Sequence, residues 1–383
     1  MKKNKRIAAL IIVVILLPLW MWLAWFLTPR HKLVMAIIDK TVLTPEGQEH
    51  ISLDWILNNA RFTKTSTKRY VIERDYFGFF PLKNEKFKIK GLERFSQAQL
   101  QQLSEDADAV YFTDTYGIYK NEWYSQKGNL ERSGILYGGM SEQDITFLQD
   151  MKAKHKLILA EFNTIASPTH PVIRNQFEKL FGMHWSGWTA RYFNSLDTTV
   201  NKELPHWLIN NYKAEHNNNW PFHKAGIAFV SNDDVVVILE DSTHLKDPMP
   251  HIHTASYGRD QLSLPAGINY PFWFDVIIPD LSVNHAISRF IIHTNEHGTA
   301  ELKKHGIPLT FPAVLMHKGP DYNFYYFSGD FCDNPINYTS SYFKGIACFK
   351  WFFYNSSDPS ERVSFFWDFY YPMMTRILHE KRK

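Results

Sequence analysis

Acidic side chains follow several short apolar segments of the chain, at the points where predicted strands end. Asp39 follows the run 34–38, Asp114 follows the run 109–112, and Glu161 follows the run 156–160. In open α/β sheets, ligands bind just beyond the carboxyl ends of the strands. The sequence therefore predicts a ligand pocket formed by residues at or just after strand ends: Asp39, Asp114, Tyr116, Glu161, Asn163, Thr164 and Asp330.

Several carboxylates in one cleft repel one another unless they bind a cation, share a proton or accept hydrogen bonds from a polyhydroxylated ligand. Each of these arrangements is functional. A structural alternative is that the acids cap helices or pair with Arg174 and Arg191. A pair drawn from Asp39, Asp114, Glu161 and Asp330 predicts a hydrolase that acts on carbohydrate.

The segment 183–192, MHWSGWTARY, is dense in aromatic residues around a glycine. Its Trp and Tyr rings can stack on sugars or bases, and Arg191 can hold an anion, so Arg191 is a further candidate for ligand binding. The alternative is that these rings cover a seam between two domains.

Histidine and cysteine are the other residue types that could carry chemistry. His251 and His253 would point to the same side of a strand and could share a metal with His223 or His244, although the adjoining Asp247-Pro248-Met249-Pro250 favours a loop. No third ligand is fixed by the spacing, so the sequence predicts no metal and no cofactor. Cys332 and Cys348 either form a disulfide or remain two thiols.

The elements that position these residues alternate between strand and helix from residue 33 to residue 182, with a capping box at Ser141-Glu142-Gln143-Asp144. This alternation predicts an α/β fold with a doubly wound, mostly parallel, flavodoxin-like sheet. Residues 201–305 are strand-like with turns between them, and predict a β-rich insertion. Residues 306–383 are predicted to supply closing strands and a C-terminal helix.

The segment 157–164, LILAEFNT, together with Gly138-Gly139 and Ser328-Gly329-Asp330, resembles the class I glutamine amidotransferase-like fold. The resemblance covers residues 33–200 and 306–383. Enzymes of that family place a cysteine nucleophile at the tight turn after this strand, where this chain has Phe162, Asn163 and Thr164. The resemblance therefore implies the fold and the position of the pocket, but not amidotransferase chemistry.

The first 32 residues read as a cytoplasmic tip and a membrane anchor. Residues 7–27 are an apolar run long enough to cross a hydrocarbon core of roughly 30 Å, and more basic residues precede it than follow it. This pattern predicts one transmembrane helix in contact with lipid, a cytoplasmic N-terminus and an extracytoplasmic main domain. A cleaved signal peptide is the alternative, but the run is longer than such a peptide requires.

The net charge of +3 and the absence of a long block of like charges after the run exclude nucleic acid as an expected partner. Three functions then remain open. The preferred one is a non-catalytic amidotransferase-like domain that binds a glycan or a protein of the cell envelope. The alternatives are a carboxylate-dependent hydrolase of carbohydrate and a structural subunit of a membrane complex.

Overall fold

A computed structural model describes residue 13, residues 15–124 and residues 133–380. The strands, in chain order, are β1 (His31–Lys32), β2 (Met35–Asp39), β3 (Phe62–Thr63), β4 (Phe77–Pro81), β5 (Phe87–Lys90), β6 (Ala109–Asp114), β7 (Ile118–Tyr119), β8 (Ile135–Tyr137), β9 (Leu157–Glu161), β10 (Met183–Phe193), β11 (Gly226–Ser231), β12 (Val236–Glu240), β13 (His251–Thr254), β14 (Gly267–Asn269), β15 (Trp273–Pro279), β16 (His285–Ile291), β17 (Thr310–Lys318) and β18 (Asn323–Phe327).

The helices complete the list of elements. They are α1 (Leu17–Leu27), α2 (Ile51–Asn59), α3 (Gln97–Asp106), α4 (Lys120–Tyr124), α5 (Glu142–Ala153), α6 (Pro171–Phe181), α7 (His206–Glu215), α8 (Ser256–Leu262), α9 (Glu296–Lys304), α10 (Val363–Phe365) and α11 (Tyr371–Glu380). A short 3₁₀ turn, Gln48–His50, precedes α2. The predicted capping box is confirmed, because Ser141 and Asp144 bond reciprocally at the start of α5.

A mixed sheet of ten strands forms the centre, in the order β14-β13-β16-β17-β18-β9-β6-β2-β4-β5. Strands β2, β6 and β9 are buried along their whole length and pair in parallel. Continuous apolar runs are typical of parallel strands that are covered on both faces. The predicted side-by-side, parallel arrangement of the runs 34–38, 109–112 and 156–160 is therefore confirmed.

The prediction of a doubly wound, mostly parallel sheet is wrong. Among the described residues, the pairings β14-β13, β13-β16, β16-β17, β17-β18 and β4-β5 are antiparallel, and only β18-β9, β9-β6, β6-β2 and β2-β4 are parallel. The connection between β17 and β18 has only four residues, 319–322, which is too short for the crossover that a parallel pair requires.

A second sheet has the order β12-β11-β10-β15 and is antiparallel throughout. The strands of the segment 201–305 are divided between the two sheets: β11, β12 and β15 lie in the second one, whereas β13, β14 and β16 extend the first. The division of the chain at residues 200 and 305 stays a prediction.

Alternate residues of the central strands belong to two hydrophobic clusters. Tyr111 shares one cluster with Trp55 of α2, and Phe112 shares the other with Phe177 of α6. Because successive side chains of a strand point to opposite faces, the sheet has an apolar core on each face.

The structure contradicts the prediction of a transmembrane helix. Helix α1 has 11 residues, and no helix among the described residues combines the length and apolarity needed to cross a membrane. Residues 7–12 and 14 of the predicted span lie outside the described residues. The single-pass topology, the cytoplasmic N-terminus and the extracytoplasmic location depended on that helix and are not supported. The lipid contact through residues 7–27 stays a prediction.

The end of α1 packs on the domain through Trp25. This side chain is buried, its Nε1–H donates to the carbonyl of Asn58 at 2.9 Å, and its ring meets the edge of Tyr342. The guanidinium of Arg61 lies 4.5 Å from the ring centroid. An aromatic residue that the sequence assigned to an anchor therefore belongs to the folded part.

Candidate functional site

A pocket of about 410 Å³ lies beyond the carboxyl ends of β6 and β9, between the two sheets and the loop after β18. Four of its carboxyl groups belong to Glu49, Asp114, Asp330 and Asp333. Its aromatic lining comes from Tyr116, Phe162, Trp185, Trp207, Phe272 and Trp273. Apolar walls with a few convergent polar groups are typical of binding sites for small ligands.

Three of these acids form one cluster. A carboxylate oxygen of each of Glu49, Asp330 and Asp333 lies within 4.8 Å of one of each of the others. Arg362 Nη2 lies 3.3 Å from Asp333 Oδ2, to which Gln48 Nε2 also donates at 2.9 Å. One guanidinium therefore stands beside three carboxyl groups.

Burial and mutual repulsion favour the protonated form of the other two acids. Burial, followed by the charges of Asp333 and Asp330, raises the pKa of Glu49 well above its usual range. Burial, followed by the charge of Asp333, does the same to the pKa of Asp330. These shifts favour the protonated form, in which a carboxyl group can donate a hydrogen bond as well as accept one.

Asp114, the last residue of β6, has a different environment. Thr41 Oγ1 donates to its Oδ1 at 2.6 Å, Tyr116 N donates to the same oxygen at 2.5 Å, and Asn163 Nδ2 lies 3.3 Å from Oδ2. Burial outweighs these hydrogen bonds and raises the pKa of Asp114 to about 7, with a further contribution from the charge of Asp39. A carboxyl group with a pKa near 7 can both donate and accept a proton under ordinary conditions.

Asn163 has a left-handed backbone conformation, with a φ of 62°. It follows β9 by two residues, at the turn where the amidotransferase resemblance places a nucleophile. Asparagine adopts this conformation more readily than most residues, and its side chain contacts Asp114. An amide is not a nucleophile of this kind, so the turn lacks the group that acyl transfer would need there.

Of the eight residues predicted from the sequence, the pocket brings together four: Asp114, Tyr116, Asn163 and Asp330. Asp39 lies behind it and is fully buried. His50 Nδ1 is 2.5 Å from Asp39 Oδ2, and Thr41 N donates to Oδ1 at 3.0 Å. Asp39 therefore supports the site from behind.

The remaining three predicted residues also do not line the pocket. Glu161 is buried and accepts hydrogen bonds from Tyr111 Oη at 2.5 Å and from Cys332 N at 3.1 Å. Thr164 is buried as well. Arg191 pairs with Glu203 at 2.6 Å. The structural alternative also predicted that Arg191 pairs with an acid, but with one of the acids at the strand ends.

Sequence reasoning missed Glu49, Trp207 and Arg362. Glu49 lies in the 3₁₀ turn before α2 and reaches the cluster only because the fold brings the loop after β18 beside it. No local pattern marks it. Trp207 follows Pro205, the N-cap of α7, and an aromatic residue near a helix start is too common to indicate a binding wall.

The cysteines and histidines also have defined positions. Cys332 is buried, Cys348 is exposed, and the two are not bonded to each other. His251 and His253 lie on a strand, β13, where the sequence favoured a loop. Their neighbour is His293, not His223 or His244.

No family model matches the chain, and no curated protein matches it. Among solved structures, a putative ThuA-like protein from Parabacteroides merdae aligns at 10% identity over 78% of this chain and 79% of its own, with a TM-score of 0.36. A protein of Salmonella typhimurium LT2 described as cytoplasmic aligns at 12% identity over 92% of this chain and 100% of its own, with a TM-score of 0.35.

A β-galactosidase from Bacillus circulans sp. alkalophilus aligns at 8% identity over 60% of this chain, with a TM-score of 0.26. The chain spans only 22% of that enzyme's length. ThuA-like proteins have a glutamine amidotransferase-like fold. Since every one of these TM-scores lies below 0.5, none of the likenesses establishes a family or an activity for the chain.

Proposed function

We propose that this protein is a carboxylate-dependent hydrolase that acts on a carbohydrate. The observation that carries the proposal is the pocket itself, in which four carboxyl groups in different environments face several aromatic rings. Strongly perturbed acids in a cleft are typical of functional sites, because folding gains nothing from placing like charges together.

The aromatic lining supports binding of a sugar. Trp207, Trp273 and Tyr116 offer flat apolar faces of the kind that cover the CH groups of a sugar ring, while polar groups fix its hydroxyls. The raised pKa values of Glu49 and Asp330 favour protonated carboxyls, which can donate hydrogen bonds to those hydroxyls.

Two acids in unlike environments support the reaction. Asp114, with a pKa of about 7, is suited to give a proton to the glycosidic oxygen as its bond to the anomeric carbon breaks. Asp333, beside the guanidinium of Arg362, is suited to act as the charged partner. In an inverting reaction Asp333 takes a proton from the water that attacks the anomeric carbon, and solvent returns a proton to Asp114. In a retaining reaction Asp333 first bonds to the anomeric carbon, and water then replaces it and gives its proton to Asp114.

The spacing of the acids limits the stereochemistry. An inverting pair needs carboxyl groups roughly 6.5 to 9.5 Å apart, and a retaining pair needs about 5 Å. One carboxylate oxygen from each of Glu49, Asp330 and Asp333 lies within 4.8 Å of the others, so the spacing of these three acids favours a retaining pair over an inverting one. Proton NMR of the first product released would distinguish the two outcomes.

The test is hydrolysis of a panel of aryl glycosides and polysaccharides by the purified chain. We expect Asp114→Asn to lower the rate by about 100-fold or more, which is the usual loss when a general acid is removed. Asp260→Asn, at an exposed position of α8, is the matched control and should retain full activity. Calorimetry with the same sugars gives a readout of binding that is independent of turnover.

Binding of a sugar without hydrolysis of any substrate would overturn the hydrolase and favour the second candidate, a non-catalytic binding domain with an amidotransferase-like arrangement. The observation that favours that candidate is Asn163, which occupies the strained turn after β9 with an amide. A role of such a binding domain in the cell envelope stays a prediction. The alternative that the chain is a structural subunit also stays a prediction.

A further inference from the structure

Three histidines lie on one face of two neighbouring strands, away from the pocket lining. His251 and His253 alternate along β13 and so share a face, and His251 pairs with Ile291 at the end of β16. His293, two residues beyond Ile291, returns to the same side. The ring centroids are 5.0 Å apart for His251 and His293, 6.3 Å for His253 and His293, and 6.4 Å for His251 and His253.

We propose that these three histidines bind a divalent transition-metal ion of the class that includes Zn²⁺. One ring nitrogen of each lies within 4.8 Å of one of each of the others. Metal–nitrogen bonds of about 2.1 Å in tetrahedral geometry would place the nitrogens about 3.4 Å apart. Side-chain rotations that bring the ring nitrogens closer by little more than about 1 Å would therefore complete the site. Imidazole is a preferred ligand of such ions.

A carboxylate beside the histidines is the second observation that supports the site. Asp247 Oδ2 lies 2.8 Å from His251 Nε2. Metal-binding histidines commonly donate their other ring N–H to a carboxylate, which fixes the tautomer and orients the ring. With Nε2–H donated to Asp247, the lone pair of His251 is on Nδ1.

Backbone contacts hold Asp247 in this position. Lys246 N donates to the carbonyl of His293 at 2.8 Å, and Met249 N donates to Asp247 Oδ1 at 3.0 Å. Leu245 also forms a bridge with Thr294. The segment that carries the carboxylate is therefore tied to the strand end that carries the third histidine.

The arrangement leaves room for one more ligand. His253 is exposed, and His251 and His293 are partly exposed, so solvent has access to the site. Zinc with three protein ligands keeps a fourth position for water or another molecule. The positive charge of Lys246 nearby works against a cation, and the carboxylate of Asp247 offsets it.

The test is titration of the full chain with Zn²⁺ by calorimetry, with Co²⁺ absorption spectra as a report of the ligand geometry. We expect one ion per chain and a cobalt spectrum of the tetrahedral type. His251→Ala and His293→Ala should each weaken binding by at least tenfold, and Asp247→Asn by about 10- to 100-fold. His285→Ala is the matched control, because His285 is exposed and lies on β16, the strand that precedes His293. This variant should bind zinc as the original chain does.

His253→Ala provides a variant that leaves the core untouched, since this side chain is exposed. Circular dichroism confirms that each variant is folded. The proposal is overturned if all three histidine variants still bind zinc as the original chain does. It is also overturned if Asp330→Asn, in the pocket, abolishes zinc binding. Failure of the hydrolase leaves this test unaffected, because none of the three histidines lines the pocket.

Discussion

The 3₁₀ turn Gln48–His50 separates two regions that hold buried acids and treat them differently. On the inner side, His50 meets Asp39, and both side chains are fully buried. On the outer side, Glu49 meets Asp330 and Asp333, which are acids like itself. Neighbouring residues of one turn thus serve a compensated pair and an uncompensated cluster.

The difference teaches where stability and function reside in this fold. A buried pair of opposite charges is costly to break, because either partner alone is left charged without compensation. A cluster of like charges costs free energy of folding and persists in proteins where a ligand or a reaction needs it. Removal of a charge should therefore have opposite effects in the two regions.

The largest expected effect is in the inner region. His50→Leu leaves the Asp39 carboxylate buried without its cation and should lower the free energy of unfolding by about 3 to 5 kcal/mol. Urea unfolding at pH 7 measures this loss. The double variant Asp39→Asn with His50→Leu should lose less than the sum of the two single variants, and a fully additive result would contradict the pairing.

A slightly smaller effect should follow pH. Burial alone would lower the pKa of His50, but the hydrogen bond and charge of Asp39 override it and raise the pKa to about 9. A raised pKa means that this stabilisation is complete below the unfolded value of 6.5 and is lost as pH rises through about 9. The loss should reach at most about 3 kcal/mol between pH 6.5 and pH 9.5.

Urea unfolding of the original chain and of His50→Leu across this pH range checks the assignment. The decline should be larger in the original chain, because Asp54 and Asp114, with pKa values of about 7, contribute to it in both chains and His50 contributes only in the first. If both chains decline equally, the titrating group is not His50.

The smallest expected effect is in the outer region and has the opposite sign. The pKa of Asp114 in the folded protein is raised from 3.8 to about 7, mainly by burial, so stability falls as pH rises from 3.8 towards 7 and stays lowered above that value. Asp114→Asn retains an oxygen for Thr41 and Tyr116 and should raise the free energy of unfolding at pH 8 by about 1 to 3 kcal/mol. Thermal unfolding at pH 5 and pH 8 measures the gain.

The gain should be smaller at pH 5 than at pH 8, and it should vanish only below the ordinary pKa of 3.8, where the unfolded chain also holds the proton. Burial also raises the pKa of Asp54 to about 7. Because Asp54 is present in both chains, only the difference in stability between the chains reports on Asp114. If Asp114→Asn were less stable than the original chain at pH 8, Asp114 would belong with acids such as Asp39 whose charge is compensated by a neighbouring group.

Local patterns predicted much of the fold. The buried runs that became β2, β6 and β9 and the capping box at Ser141 depend on neighbours in sequence, and the structure confirms them. The prediction of a mostly parallel sheet failed because the direction of pairing in the second half of the sheet depends on which strands meet, and apolar runs do not indicate this. The 4.8 Å cluster of Glu49 with Asp330 depends on the same long-range assembly.

The transmembrane prediction failed for a related reason. Composition gives the apolarity of a run, but it does not give the length of the helix that forms within the run or the residues that pack on a domain. Helix α1 has 11 residues, of which Trp25 is buried and contacts Asn58 and Tyr342. Of the acids predicted from strand ends, Asp39 and Glu161 turned inward while Asp114 faced the pocket. A strand end gives a position in the sheet, and the partner decides the role.

Strand β18 is parallel to β9 on one side and antiparallel to β17 on the other, and the loop that follows it carries Asp330 and Asp333. Loss of a single residue within 323–327 would invert which side chains face each core. Insertions that preserve function should therefore be found in the outer loops, while the length of this one strand should be invariant among working relatives.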